Sequence, residues 1–129
     1  MTRTYDDILA KHPALLGSAP TDLKAFGVCC GPGWLSILES LFDDFEKIRQ
    51  EDGLTITVFQ VKEKFGELRV YVRGGNDRVQ RRLRDAEWDA MFTCEDCGGR
   101  SPGVQSLGGG LNNLCGACRK KLRQSWKDR

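Results

Sequence analysis

The sequence predicts an α+β fold, and three observations carry that expectation. Apolar residues recur every three or four positions between Trp34 and Gln50, a period of two takes over from Leu54 to Arg73, and four of the six cysteines form two Cys-x2-Cys pairs near the C-terminus. These features describe a core helix, a β-hairpin and a second, basic helix, closed by a C-terminal finger of treble-clef-like layout. A chain of 129 residues can bury one modest core of its own. Residues 1–129 are therefore read as a single domain, with 1–92 the α+β core region and 93–129 the finger region.

The elements follow in order. Residues 5–16 read as a short helical segment with Ile8, Leu9, Leu15 and Leu16 apolar and Pro13 interrupting it. Trp34, Ile37, Leu38, Leu41, Phe42, Phe45 and Ile48 then mark one face of an amphipathic core helix. Asp43, Asp44, Glu46, Lys47 and Arg49 occupy mainly its other face, and Asp52-Gly53 ends it. Leu54, Ile56 and Val58 alternate with Thr55, Thr57 and Phe59, and Leu68, Val70 and Val72 alternate with Arg69, Tyr71 and Arg73. A hairpin with one aliphatic face is expected, joined through Lys62 to Glu67, and that face needs helices to pack on. Gly74-Gly75-Asn76-Asp77 breaks the strand and supplies N-cap chemistry for a helix from Asp77 to Phe92, with Val79, Leu83, Ala86 and Ala90 as its buried stripe.

The cysteine spacing points to metal. Cys94 and Cys97 bracket two residues, as do Cys115 and Cys118, and 17 residues separate the pairs. Each pair can turn both sulfurs inward on a tight knuckle, and four thiolates complete the tetrahedron that Zn2+ prefers in a structural site with no open position. Gly98, Gly99 and Gly116 stand where such cramped turns want glycine. The glycine-rich stretch from Gly103 to Asn113 is expected to be organised by the metal. The residues after Cys118 read as a helix with Leu122 and Trp126 on an inward face, so the second ligand pair opens a helix whose positive end suits thiolates.

Charge and hydropathy remove other classes. No window reaches the roughly 18 consecutive apolar residues of a membrane span. The first residues show no secretory leader, so the cytoplasm is the expected compartment. Residues 1–64 carry 7 Lys/Arg against 10 Asp/Glu, whereas residues 65–129 carry 13 against 8. The formal net charge of +2 is thus an acidic half beside a basic one, and a zinc-loaded site, itself net anionic, brings the whole close to neutral.

Cys30-Gly31-Pro32-Gly33-Trp34 ahead of a helix, Val61-Lys62-Glu63-Lys64-Phe65-Gly66-Glu67-Leu68-Arg69-Val70-Tyr71, and a Cys-x2-Cys finger occur here in that order. In this the chain resembles a family of small phage and prophage proteins of uncharacterised function, over residues 28–118. The Lys-Glu-Lys-Phe-Gly-x-Leu-Arg segment is the most specific part of the likeness. The chain departs from the family pattern at Pro32, where an acidic residue is usual, and at Cys118, where the last ligand is often His. The resemblance implies expression in a cell that is infected by phage or carries one. It implies no reaction.

These readings favour a zinc-stabilised binding protein over an enzyme, with a host or phage protein as the expected partner. The candidate contact residues are Lys62, Lys64, Arg69, Arg78, Arg81, Arg82, Arg119, Lys120, Lys121 and Arg123. Nucleic acid is the alternative partner, met through phosphate contacts. Against it, Asp77, Asp85, Glu87 and Asp89 share the helix of the arginine row and allow pairs such as Arg81 with Asp85. A third reading is a Mg2+-dependent nuclease that uses Asp52, Gln60 and Lys62 with Glu51 or Glu63. Adjacent Cys29 and Cys30 are read as packed free thiols, because neighbours cannot easily share a zinc or an unstrained disulfide. His12 is read as a surface or packing residue. Gly31, Gly33 and Trp34 are read as shaping a turn that anchors the following helix.

Overall fold

The computed structural model describes residues 3–127 and confirms the α+β class. Thr4 opens α1 (Tyr5–Lys11) with a capping box, its hydroxyl accepting from the Asp7 N–H while the Asp7 carboxylate accepts from the Thr4 N–H. The helix stops at His12, and Pro13 starts a separate 3-10 turn, Pro13–Leu15, so the expected 5–16 segment is two pieces. A short α2 (Asp22–Phe26), capped by Thr21, was not foreseen, because one buried leucine in five residues leaves no period to read.

A second 3-10 turn, Pro32–Trp34, leads into α3 (Leu35–Asp52), which Gly53 terminates in the left-handed conformation at φ 64°. Strands β1 (Ile56–Lys64) and β2 (Glu67–Gly74) are longer than the alternation suggested, since Lys62 to Lys64 and Glu67 belong to them. Only Phe65 and Gly66 form the turn, both at positive φ (56° and 83°), the pattern of a two-residue turn whose twist matches the strands.

A bulge between Val58 and Gln60 shifts the register. It explains how Ile56, Val58 and Val61 can all be buried although strict alternation would bury position 60. The Val28-Cys29 segment covers the outer edge of β1, with the Cys29 N–H donating to Val61 O (2.9 Å) and Cys29 O accepting from the Glu63 N–H (3.0 Å).

Asn76 caps α4 (Asp77–Met91), whose buried residues are the four expected ones, Val79, Leu83, Ala86 and Ala90. These join Trp34, Leu38, Phe42 and Phe45 of the α3 segment and Val58, Leu68 and Val70 of the hairpin in one core. Across the α3–α4 seam, Arg78 donates to Asp52 (2.9 Å) and Glu51 (3.1 Å), and Arg82 donates to Asp44 (2.6 Å) and Ser40 (3.2 Å). Two of the arginines on α4 are therefore bound to its neighbouring helix, whereas Arg81 and Arg84 are exposed, and no Arg81–Asp85 pair forms among the described residues.

The finger holds a small antiparallel hairpin, β3 (Gln105–Leu107) with β4 (Gly110–Asn112), followed by α5 (Gly116–Lys127). No helix among the described residues is long and apolar enough to cross a membrane.

Candidate metal centre and the surfaces around it

The first cysteine pair lies in the tight turn after α4, where the Gly98 N–H returns to Cys94 O (3.0 Å) and Gly98 adopts φ 82°. The second pair spans the first turn of α5. Knuckle, hairpin and ligand pair at a helix start reproduce the treble-clef layout.

The four Sγ atoms lie within 4.8 Å of one another, and Cys97 Sγ stands 3.7 Å from Cys115 Sγ. Zinc–sulfur bonds of about 2.3 Å at tetrahedral angles require sulfurs about 3.8 Å apart, so the donor set can hold a metal ion. Backbone amides already point at the outer sulfurs, Gly99 N–H at Cys97 and Cys118 N–H at Cys115, both at 3.4 Å. That Cys118 amide is the main cause holding the Cys115 thiol down at about 7, whereas burial pushes Cys118 up.

Arg119 follows Cys118 on α5. It is buried, its Nη2 has no hydrogen-bond partner, and no carboxylate pairs with it among the described residues.

The finger is fastened to the core through the Cys30–Trp34 segment. The Gly33 N–H donates to Glu95 O (2.7 Å), the Gly31 N–H to the Glu95 carboxylate (2.8 Å) and the Trp34 indole N–H to Thr93 O (2.9 Å). Tyr5 closes the far side by donating to Gly31 O (2.5 Å). Gly66 at the tip of the β1–β2 hairpin also meets the finger, where an added Cβ would stand 2.9 Å from Val104. The Cys30–Trp34 segment and the tip of the β1–β2 hairpin thus converge on the finger, and their glycines make room for it.

Sequence reasoning missed two polar residues here. Glu95 receives the Gly31 amide, and burial raises its carboxyl above the ordinary range. Asn113, fully buried, donates to Ala90 O (2.8 Å) and Met91 O (3.0 Å) at the end of α4 and accepts from the Ser101 hydroxyl (2.5 Å). Neither has a spacing signature, because both act on backbone groups distant in sequence.

The candidate contact residues fall into three groups. Arg78 and Arg82 are tied to α3, while Arg81 is exposed. Lys62, Lys64 and Arg69 lie together on the outer face of the β1–β2 hairpin. Lys120, Lys121 and Arg123 are exposed on α5, but Arg119 is buried and leaves that surface. Trp126 is 40% exposed and lies over Gly108 of the β3–β4 turn, so only Leu122 of the expected inward pair is half-buried against the finger.

The nuclease constellation is not assembled. The Asp52 carboxylate is held by Asn76 and Arg78 (both 2.9 Å) beside the base of the hairpin, whereas Lys62 and Glu63 stand near its tip. His12 is buried, with Nε2 2.7 Å from Asp43 and its ring edge-on to Phe42. Cys29 is exposed and Cys30 partly buried, both as free thiols.

Trp88 and Phe92 form an exposed aromatic pair that the sequence reading passed over, with ring centroids 5.3 Å apart. Trp88 lines a cavity of about 300 Å3 between β2 and α4 together with Glu67, Leu68, Arg69, Arg84, Glu87 and Met91. No protein-family model, curated protein or solved structure matches the chain.

Proposed function

We propose that this is a zinc-stabilised binding protein of the phage type, which engages and modulates a host or phage protein. The zinc is structural: four thiolates fill its coordination shell and fix the finger against Gly31 and Gly33. One observation carries the choice of a protein partner. Trp88 is 61% exposed and Phe92 43%, stacked edge to face beside the β2–α4 cavity, with Arg84 on its rim. Large aromatic side chains and arginine dominate the energetics of protein interfaces, and exposed apolar surface of this kind costs solubility unless it is used. The phage context rests on the likeness of Cys30–Trp34 and Lys62–Arg69.

Affinity capture from a bacterial lysate, with and without prophage induction, tests the proposal against a Trp88→Ser/Phe92→Ser variant of equal thermal stability. A discrete protein retained by the parent and lost by the variant is expected. Retention of the same proteins by both, or of none, rejects the reading.

A further inference from the structure

A second surface points to a different ligand. In the register of the β1–β2 hairpin, Lys62 faces Arg69, Lys64 faces Glu67, Gln60 faces Tyr71 and Thr57 faces Arg73. Directly opposed residues share a face, so all of these project from the side away from the core residues Val58, Val61, Leu68 and Val70. The bulge adds Phe59 to the same side.

The result is a row in which rings and cations alternate. The Arg73 guanidinium lies over the Phe59 ring at 4.7 Å, Phe59 meets Tyr71 at 6.0 Å, and Lys62 Nζ lies over Tyr71 at 5.7 Å. Lys64 lies 5.7 Å from the ring of Phe65, which is 63% exposed. At the Arg73 end, Ser18, Thr21, Thr55 and Thr57 line a cavity of about 240 Å3 together with Arg73. Arg73 and the serine and threonine residues of this cavity offer donors for a phosphate group beside Leu16, Gly17 and Ala19, although the Thr21 hydroxyl already accepts from the Lys24 N–H.

The charge on this face is unbalanced. Arg69 is met by two carboxylates, Glu67 at 2.7 Å and Glu87 of α4 nearby, and Glu63 turns to the Gly66 N–H of its own turn, while Lys62, Lys64 and Arg73 have no ion-pair partner among the described residues. On α4, by contrast, Arg78 and Arg82 are matched by acids of α3.

We propose that the outer face of the β1–β2 hairpin binds single-stranded nucleic acid, with Phe59 and Tyr71 as base platforms, Lys62, Lys64 and Arg73 on the backbone, and the hydroxyl-lined cavity as a phosphate subsite. The alternation of rings and cations along one strand matches the alternation of bases and phosphates along a single strand, a repeat that an acidic protein surface does not present. A duplex presents phosphates but no free base faces. A strand of eight or nine residues spans about 28 Å, room for about four nucleotides. Arg69 and Glu67 border both surfaces, but the rings and cations assigned here exclude Trp88 and Phe92, so their variants test this proposal separately from the protein-partner reading.

The test uses the zinc-loaded full chain with fluorescein-labelled 12-mers of oligo(dT) and oligo(U), followed by anisotropy across a salt series. About three phosphate contacts, through Lys62, Lys64 and Arg73, predict a slope of log K against log salt near −2. Tyr71→Leu and Phe59→Leu keep apolar bulk without the stacking face and should each weaken binding about 5- to 100-fold. Arg73→Ala, at an exposed position, should lower the slope by about 0.7 and serves even if a ring variant folds poorly. Arg82→Ala should leave binding unchanged. Preference between oligo(dT) and oligo(U) tells which single strand is the ligand. The proposal is overturned by no binding at low salt, by equal affinity for a duplex of the same length, by equal competition from polyglutamate, or by binding that survives the hairpin variants and disappears with Lys120→Ala/Lys121→Ala.

Discussion

The carbonyl oxygen of Cys94 lies where the β-carbon of any side chain at position 33 would stand, so Gly33 and the metal-binding knuckle meet backbone to backbone. Gly31 is nearly as confined, with the Glu95 carbonyl oxygen 2.5 Å from its would-be Cβ. Gly116, inside the second cysteine pair, has nothing within 4 Å of the same point. Gly33→Ala should therefore force the finger away from α3 and lower stability by about 1–3 kcal/mol or more. Gly116→Ala, at the start of a helix, should change it by less than about 1 kcal/mol. Chemical denaturation of the zinc-loaded proteins compares the two, and equal midpoints would refute the docking contact.

Metal removal should act regionally. The large core around Trp34, Phe42 and Phe45 is separate from the small cluster of Cys94, Leu114 and Cys118, so a chelator should release the finger while the β1–β2–α4 core persists. In amide NMR spectra, dispersion should collapse for residues 93–127 and also shift at Gly31, Gly33 and the Trp34 indole, which donate to finger carbonyls or to Glu95. One equivalent of zinc per chain should restore both sets. Less than about half an equivalent bound, or spectra unmoved by chelator, would refute a structural zinc site.

Cys29 and Cys30 are neighbours in sequence but should differ in reactivity. Burial raises the Cys30 thiol to about 11, with the Tyr5 hydroxyl beside it at 3.5 Å, while Cys29 is exposed. Only the thiolate alkylates, and two units above an ordinary thiol leave about 100-fold less thiolate near neutrality. Mass mapping after brief iodoacetamide treatment of the zinc-loaded protein should find Cys29 modified and Cys30 spared. Labelling of Cys30 should then climb about tenfold per pH unit between pH 7 and 9. Equal labelling at pH 7 would mean that the Tyr5–Cys30 packing does not persist in solution.

The parts of the fold that were legible in the sequence are those that repeat. The α3 stripe, the α4 stripe of Val79, Leu83, Ala86 and Ala90, and the paired cysteines all announce themselves by period or spacing. The strand ends were not legible, because Lys62 to Lys64 are charged on an outward face and read as a tip until the turn at Phe65-Gly66 is known. The bulge at Val58/Gln60 was invisible for a related reason: it breaks alternation, and it is what brings Phe59 beside Tyr71. Arg119 and Trp126 were misplaced because helical spacing tells which residues share a face but not what the finger's hairpin covers. The tertiary role of Gly31 and Gly33 lay in contacts more than 60 residues away along the chain.

Asn113 offers the sharpest test of how α4 is joined to the finger. Its amide group donates to two carbonyls at the end of α4, that of Met91 and that of Ala90, which also accepts from the Thr93 N–H (3.2 Å), and its own oxygen accepts from Ser101. Asn113→Ala removes all three bonds from a fully buried site and should cost about 2 kcal/mol or more, since the Met91 carbonyl and the Ser101 hydroxyl proton are left unmatched while the Ala90 carbonyl keeps the Thr93 N–H at 3.2 Å. Asn113→Asp keeps the shape but sets a carboxylate against two carbonyl oxygens. Repulsion and burial would raise that carboxyl above its unfolded value, so its protonated form, which can donate one bond, is the form compatible with folding. The stability deficit of the variant should therefore be smallest below the ordinary carboxylate range and grow as pH rises through it, opposite in sign to a carboxylate stabilised by an ion pair. Thermal midpoints of parent, Asn113→Ala and Asn113→Asp between pH 4 and pH 8 read this directly. An Asn113→Asp deficit independent of pH would show that the side chain does not face the end of α4.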